Sequence, residues 1–220
     1  MPPVAIAARE GYELWAASWD TTPSPIVAVE QRALLPWIAR VPFRRALDVG
    51  CGTGRWTARL NAIGLDASPA MLARAAAKPA LHGRLAVADA AMLPIATGAA
   101  DLVLCALTLG HLADPAPALR EFARVLAPGG TLLLTDFHPA AAALGWRRTF
   151  RHEGRVYQLE NYAHTLDQLR RAAPELVLLD QMEARIGEPE RPLFEAAARP
   201  ELFTAACATP AVLLSRWVRP

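Results

Sequence analysis

Between residues 45 and 137, short apolar runs alternate with segments of helical spacing, and no other feature restricts the fold of this chain as strongly. The runs at 45–49, 63–66, 84–89, 101–107 and 131–137 have strand length and strand composition. Strands separated by helices pair in parallel, with the helices covering both faces of the sheet. The expectation is a doubly wound α/β fold. Two further strands, near 176–180 and 211–218, bring the mostly parallel sheet to seven, the last of them closing it.

Helix signals flank these strands. Ser24 and Pro25 read as a cap and first-position proline for a helix reaching Arg40, with Val29, Leu34, Trp37 and Ile38 at helical spacing. Asp114 and Pro115 open another, whose Leu119, Phe122, Ala123 and Leu126 share a face before Pro128-Gly129-Gly130 ends it. Thr165 with Gln168 three residues on reads as a capping box. Residues 138–164 break the rhythm and hold a hairpin signal at Glu153-Gly154. The reading is one domain over 1–220: an N-terminal lid (1–23), a core (24–137), an insertion after the fifth strand (138–164) and C-terminal strands (165–220).

Charge and cysteine content narrow the function classes. The net charge is +2, from 23 basic and 21 acidic residues, which is not the one-signed field that nucleic-acid binding needs. Lys78 is the only lysine, so the positive charge is carried by arginines suited to bidentate contacts. Cys51, Cys105 and Cys207 are odd in number, with no paired spacing for zinc or a dithiol. These features fit a metal-free cytoplasmic protein. No signal-peptide pattern and no membrane-length apolar run is visible, so no membrane partner is expected; the sequence leaves the choice between monomer and homodimer open.

The first strand ends in Asp48-Val49-Gly50-Cys51-Gly52-Thr53-Gly54. Glycines at this spacing let the backbone turn tightly and approach a ligand. A dinucleotide fingerprint would place its third glycine where Arg55 stands. Glycines at 50, 52 and 54 behind an acid resemble instead the first motif of class I methyltransferases. Asp66, framed by Gly64-Leu65 and Ala67-Ser68-Pro69-Ala70-Met71-Leu72, is similar to the acid of that family which accepts both ribose hydroxyls; read alone, it is also a carboxylate capping a turn. Asp66 stands only twelve positions after Gly54, so the helix between them is short. Ala88-Asp89-Ala90-Ala91-Met92-Leu93-Pro94 resembles the family's adenine segment, and Asp89 read alone is also a helix cap.

Together with Ala106-Leu107-Thr108-Leu109-Gly110-His111-Leu112 and the stretch 122–130, these motifs resemble the UbiE- and BioC-like (type 11) branch over residues 10–137. The resemblance implies a Rossmann-like methyltransferase fold, S-adenosylmethionine as cofactor, S-adenosylhomocysteine as product, and methyl transfer to O, N or S of a small-molecule acceptor. It assigns the cofactor to Asp48, Gly50, Cys51, Gly52 and Gly54, then to Asp66, Ala67 and Met71. Asp89, Ala90, Ala91 and Leu107 complete that side. His111 becomes the general base, because an imidazole titrates near neutrality, or else a structural side chain. His138 is a second base or a cap beside Pro139. Tyr12 and Trp19 belong to a lid or to a packed helix, and Arg148, Arg151 and Tyr162 to an acceptor pocket or to a solvated hairpin. No Asn/Asp-Pro-Pro-Tyr motif follows the fourth strand, which sets aside the nucleic-acid amino-methylating branch. The competing function is a protein that binds the cofactor without transferring methyl.

Overall fold

The computed structural model describes residues 2–220. The chain opens with β1 (Val4–Ile6), α1 (Ala8–Trp15) and α2 (Pro25–Ile38). There follow β2 (Ala46–Val49), α3 (Arg55–Leu60), β3 (Ile63–Asp66), α4 (Pro69–Ala76), β4 (Leu85–Val87) and β5 (Ala100–Ala106). Next come α5 (Ala116–Val125), β6 (Leu126–Phe137), α6 (Pro139–Ala143), β7 (Thr149–His152) and β8 (Arg155–Leu159). The last elements are α7 (Leu166–Ala172), β9 (Val177–Arg185), α8 (Arg191–Ala196), α9 (Phe203–Ala208) and β10 (Pro210–Val218).

Seven strands form one sheet in the order β4-β3-β2-β5-β6-β10-β9. β2 to β6 pair in parallel, and β10 runs antiparallel to both of its neighbours. Alternate residues of β5 feed opposite layers: Val103 and Cys105 pack with Leu119 and Phe122 of α5, while Leu102 and Leu104 pack with Val29 and Leu34 of α2. Both faces are therefore covered, as an all-apolar parallel strand requires. The strand order reverses beside β2, where the next strands in sequence run to one side and β5 and β6 to the other. That reversal leaves a crevice at the carboxyl ends of β2 and β5.

The expected caps form. The Ser24 side chain accepts from the Val27 amide, and Thr165 with Gln168 makes both bonds of the capping box. Three features depart from the expectation. β10 does not close the sheet; it inserts between β6 and β9, leaving β9 as the edge. α5 ends at Val125, and buried Leu126 already pairs with Ala100, so the strand begins ahead of the Pro-Gly-Gly turn and passes through an irregularity there. The stretch between β9 and β10 folds into α8 and α9, whose Phe194 and Phe203 pack edge to face at 5.5 Å beneath Arg191.

A second sheet, of order β1-β8-β7, joins the first residues to the insertion. β7 and β8 are the expected hairpin. Glu153 (φ 48°) and Gly154 (φ 76°) both take left-handed conformations, the turn that matches strand twist. β1 adds in parallel, Ile6 opposite Leu159. Ile6, Trp15, Phe150 and Leu159 form a separate small core, with Trp15 stacked on Phe150 at 4.8 Å.

Candidate active site

The crevice opens into a cavity of about 720 Å³ lined by the carboxyl ends of β2 to β5, by α1, and by Arg148 and Glu160, which flank the second sheet. Its floor is the glycine loop. The amides of Gly50 and Cys51 both donate to Leu65 O (2.7 and 3.1 Å), which pins the loop to β3. Gly50 has φ +73°, and a Cβ there would lie 2.2 Å from the Thr108 side chain. Gly52 has φ +55°, and a Cβ there would meet only the Met71 methyl, at 3.2 Å. Gly50 thus serves close packing and Gly52 faces the ligand space. Gly54 caps α3 and packs on Leu81 without lining the cavity.

α3 has six residues and ends at Asn61 in a left-handed conformation, which answers the short Gly54–Asp66 interval. It is held from below by buried Glu30, which accepts from Arg55 Nη2 (2.8 Å), Trp56 Nε1 (3.2 Å) and the Thr135 hydroxyl (3.1 Å). Burial raises the Glu30 carboxyl above its ordinary range, against the pull of Arg55. Asp48 lies under the loop and accepts from Thr57 Oγ1 at 2.6 Å; burial pushes its carboxyl up to about 6. Cys51 lines the cavity, and burial pushes its thiol well up, so it is an inert wall.

Asp66 accepts from the Gly52 amide at Oδ2 (2.7 Å) and from the Ser68 amide at Oδ1 (2.8 Å). Burial raises its carboxyl, and those amides oppose the rise. Two oxygens fixed this way on a cavity wall are suited to a vicinal diol. Asp89 accepts from the Ala91 amide (2.8 Å), and the chain turns there without starting a helix, so it holds a turn. Ala67, Met71, Asp89, Ala90 and Leu107 line the cavity; Ala91 does not. Leu107 is left-handed (φ 55°), which aims its carbonyl at Arg148 Nη1, 2.9 Å away.

Opposite the loop, Tyr12, His111 and Arg148 converge. His111 Nδ1 lies 3.1 Å from Glu160 O, and its Nε2 lies 2.9 Å from the Tyr12 hydroxyl and 2.7 Å from Arg148 Nη1. A guanidinium only donates, so Nε2 is the acceptor and the imidazole is neutral with its proton on Nδ1. Burial and then the Arg148 charge pull its pKa down to about 3. The lone pair that a general base would use is already engaged. Burial raises the Tyr12 hydroxyl, and Arg148 opposes that rise. Trp19 lines the cavity edge-on to Tyr12 at 5.4 Å.

Three expected acceptor residues stand elsewhere. His138 caps α6 by accepting from the Ala140 amide and faces Glu183 at 3.3 Å, away from the cavity. Arg151 is exposed on β7 because residues alternate faces along a strand and Phe150 takes the inward one. Tyr162 is 40% exposed and contributes its backbone, donating to Gly110 O at 2.6 Å. Sequence reasoning missed two latches that tie the N-terminal segment to the start of α4 and to the glycine loop. Glu13 accepts from Ser68 Oγ (2.7 Å), and Asp20 accepts from Thr53 Oγ1 (2.6 Å) and pairs with Lys78 (3.0 Å). Nothing in local pattern marks such pairs.

Residues 47–134 match a family model described as a methyltransferase domain. A demethylmenaquinone methyltransferase of Thermus thermophilus is 40% identical over 106 residues, 44% of this chain and 48% of that protein. The chain thus matches about half the length of such curated relatives. An S-adenosylmethionine-dependent methyltransferase from Mesorhizobium loti superposes with a TM-score of 0.65 at 25% identity, covering 89% of this chain and all of the other. The N-methyltransferase NodS of Bradyrhizobium japonicum, solved with S-adenosyl-L-homocysteine, shares the fold with a TM-score of 0.68 at 17% identity, covering 98% of this chain and 100% of that one. The glycine loop, Asp66 and Asp89 stand at three successive strand ends around one cavity, and both the fold and the segment 47–134 are similar to those of S-adenosylmethionine-dependent methyltransferases.

Proposed function

We propose that the chain transfers a methyl group from S-adenosylmethionine to a small-molecule acceptor bound beneath the second sheet. The observation that carries this reading is the shared cavity: the Gly52 backbone, Asp66 and Asp89 line one side, and Tyr12, His111 and Arg148 the other. When bound, the cofactor supplies an electrophilic methyl group on a sulfonium centre. The residues present fit it. Asp66 offers two oriented oxygens to a diol, and Gly52 has no side chain to fill the space above the loop.

The rest of the work falls to positioning and exclusion of water. Residues 1–23 act as the lid, latched through Glu13 and Asp20, with Tyr12 and Trp19 turned to the cavity. Residues 138–164 act as the acceptor-side cover and deliver Arg148. His111 orients Tyr12 and Arg148 and takes no proton, because its Nε2 is engaged and it stays neutral across the physiological range. Relatives named for demethylmenaquinone favour a second reading of the methylated atom, a ring carbon in place of O, N or S.

Calorimetric titration with S-adenosylmethionine and S-adenosylhomocysteine tests the first step. Binding is expected, weakened by about 1–3 kcal/mol in Asp66→Ala, the cost of removing a hydrogen-bonding partner from a buried site. Failure of the folded wild-type protein to bind either compound would falsify the reading. Release of S-adenosylhomocysteine with a panel of phenols, quinols, amines and thiols then separates transfer from binding alone.

A further inference from the structure

Arg148 is placed as few arginines are. Its Nη1 donates toward the Tyr12 hydroxyl (2.8 Å), Leu107 O (2.9 Å) and His111 Nε2 (2.7 Å), all of them neutral. Its Nη2 is shut off from water and has no partner. Among the described residues no carboxylate forms an ion pair with it; Asp136 acts on it only at a distance, and that carboxylate is already engaged by the Gly110 and Phe137 amides. Arg148 is half-buried as a residue, but this one nitrogen is shut off from water, and a buried donor left without an acceptor is costly. The guanidinium nonetheless borders the cavity rather than the solvent face of the hairpin.

We propose that this corner is a binding site for one ionised oxygen of the acceptor, with Arg148 as its counter-ion. The proposal rests on the methyltransferase reading and names the acceptor class for the same cavity: small flat molecules bearing a single oxyanion, whether carboxylate or phenolate. Three observations converge on it. The charge has no ion-pair partner, the free donor is buried, and every group bonded to Nη1 is neutral, which leaves the strong charge-assisted bond an arginine can make unused. An oxygen that enters already ionised has no proton to lose. That agrees with a neighbouring histidine whose only basic nitrogen is already accepting hydrogen bonds.

The test uses the full chain saturated with S-adenosylhomocysteine, and three probes of similar shape: 4-nitrophenol, 4-nitrobenzoate and neutral 4-nitroanisole. Binding is read by calorimetry, and the ionisation of bound nitrophenol by its absorbance. At least one anionic probe is expected to bind about ten-fold or more tightly than the anisole, as for a charged hydrogen bond. If nitrophenol is that probe, its bound form ionises at lower pH than the free form. Preference between nitrophenol and nitrobenzoate identifies the source of the oxyanion. Arg148→Gln should abolish the preference and Arg148→Lys should keep part of it, with S-adenosylhomocysteine affinity and circular dichroism showing that each variant is folded. Equal binding of anionic and neutral probes, including no binding of either, overturns the proposal, as does an anion preference that survives in folded Arg148→Gln. Loss of S-adenosylhomocysteine binding in the wild type would instead strike the function reading, and the probe preference would still report on Arg148.

Discussion

The two walls of the cavity are built by opposite means. On the loop side, the contacts that fix the two acids span short stretches of sequence: the Gly52 amide donates to an acid 14 residues away, and the Thr57 hydroxyl to an acid 9 residues away. On the acceptor side they are distant and made by side chains: Arg148 reaches Tyr12 across 136 residues, and Tyr12 reaches His111 across 99. The loop wall is an extension of the main sheet. The opposite wall, proposed for the acceptor, combines Tyr12 of α1, His111 from the turn after β5 and Arg148 just ahead of β7, and it adjoins a second sheet with its own core of Ile6, Trp15, Phe150 and Leu159.

If the walls are separable, emptying the small core should loosen one and spare the other. Trp15→Ala removes a buried indole, a change that costs about 3–5 kcal/mol. The loss should appear as faster amide exchange in β1, α1, β7 and β8, with β2, β5 and β6 still protected. Uniform loss of protection along the chain would show that the two layers fold as one unit and break the comparison.

The same contrast decides what was legible in the sequence. The strands at 63–66 and 101–107, the caps at Ser24 and Thr165 and the glycine loop rest on spacings within a few residues, and pattern displays them directly. The Glu153-Gly154 hairpin was legible for the same reason. β1 was not, because a three-residue strand is defined only by its partner, and Ile6 meets Leu159 through tertiary pairing. Likewise the arginines of the insertion look alike in sequence. Position on β7 and β8 turns Arg151 and Arg155 to solvent, while Arg148, just ahead of β7, reaches the Tyr12 hydroxyl on α1.

Within the loop wall, Gly50 and Gly52 separate packing from ligand space. Gly50→Ala puts a Cβ 2.2 Å from Thr108 in a left-handed conformation, which should cost about 2–5 kcal/mol of stability, summing the conformational and overpacking penalties. Gly52→Ala carries the conformational part alone, about 1–2 kcal/mol, and should weaken S-adenosylhomocysteine binding out of proportion to its effect on stability. Denaturant melts paired with titration distinguish the two. Equal losses of binding relative to stability would mean that Gly52, too, is a packing residue.

Asp48 gives the loop wall a pH signature. Its carboxyl is raised to about 6 by burial from an ordinary value of 3.8, so the folded chain binds that proton more tightly than the unfolded chain. The resulting stabilisation is present below pH 4 and is lost as pH rises through 6, an excursion of up to about 3 kcal/mol. Relative to Asp48→Asn, the wild type should therefore lose stability between pH 4 and 7 in urea melts. A gap that stays flat or narrows with rising pH would show that Thr57 and the loop hold the carboxylate in its charged form.

The smallest expected effect sharpens the acceptor wall most. Arg147 donates only to Ala142 O and Trp146 O nearby in its own segment, and Arg151 stands exposed on β7. Arg151→Gln should change stability by less than about 0.5 kcal/mol, as exposed substitutions do, and should leave binding of 4-nitrophenol and 4-nitrobenzoate where it was. A charge in water is screened within about 8 Å at physiological ionic strength, so an exposed guanidinium on the outer face adds little field inside the cavity. Arg148→Gln, one strand start away, removes the donor that lines it. The pair of variants thus asks whether the acceptor wall recognises charge at a point or through a cluster. Loss of anion binding in Arg151→Gln as large as in Arg148→Gln would mean that the whole basic segment acts together, and the distinction between a buried recognising arginine and its solvated neighbours would fail.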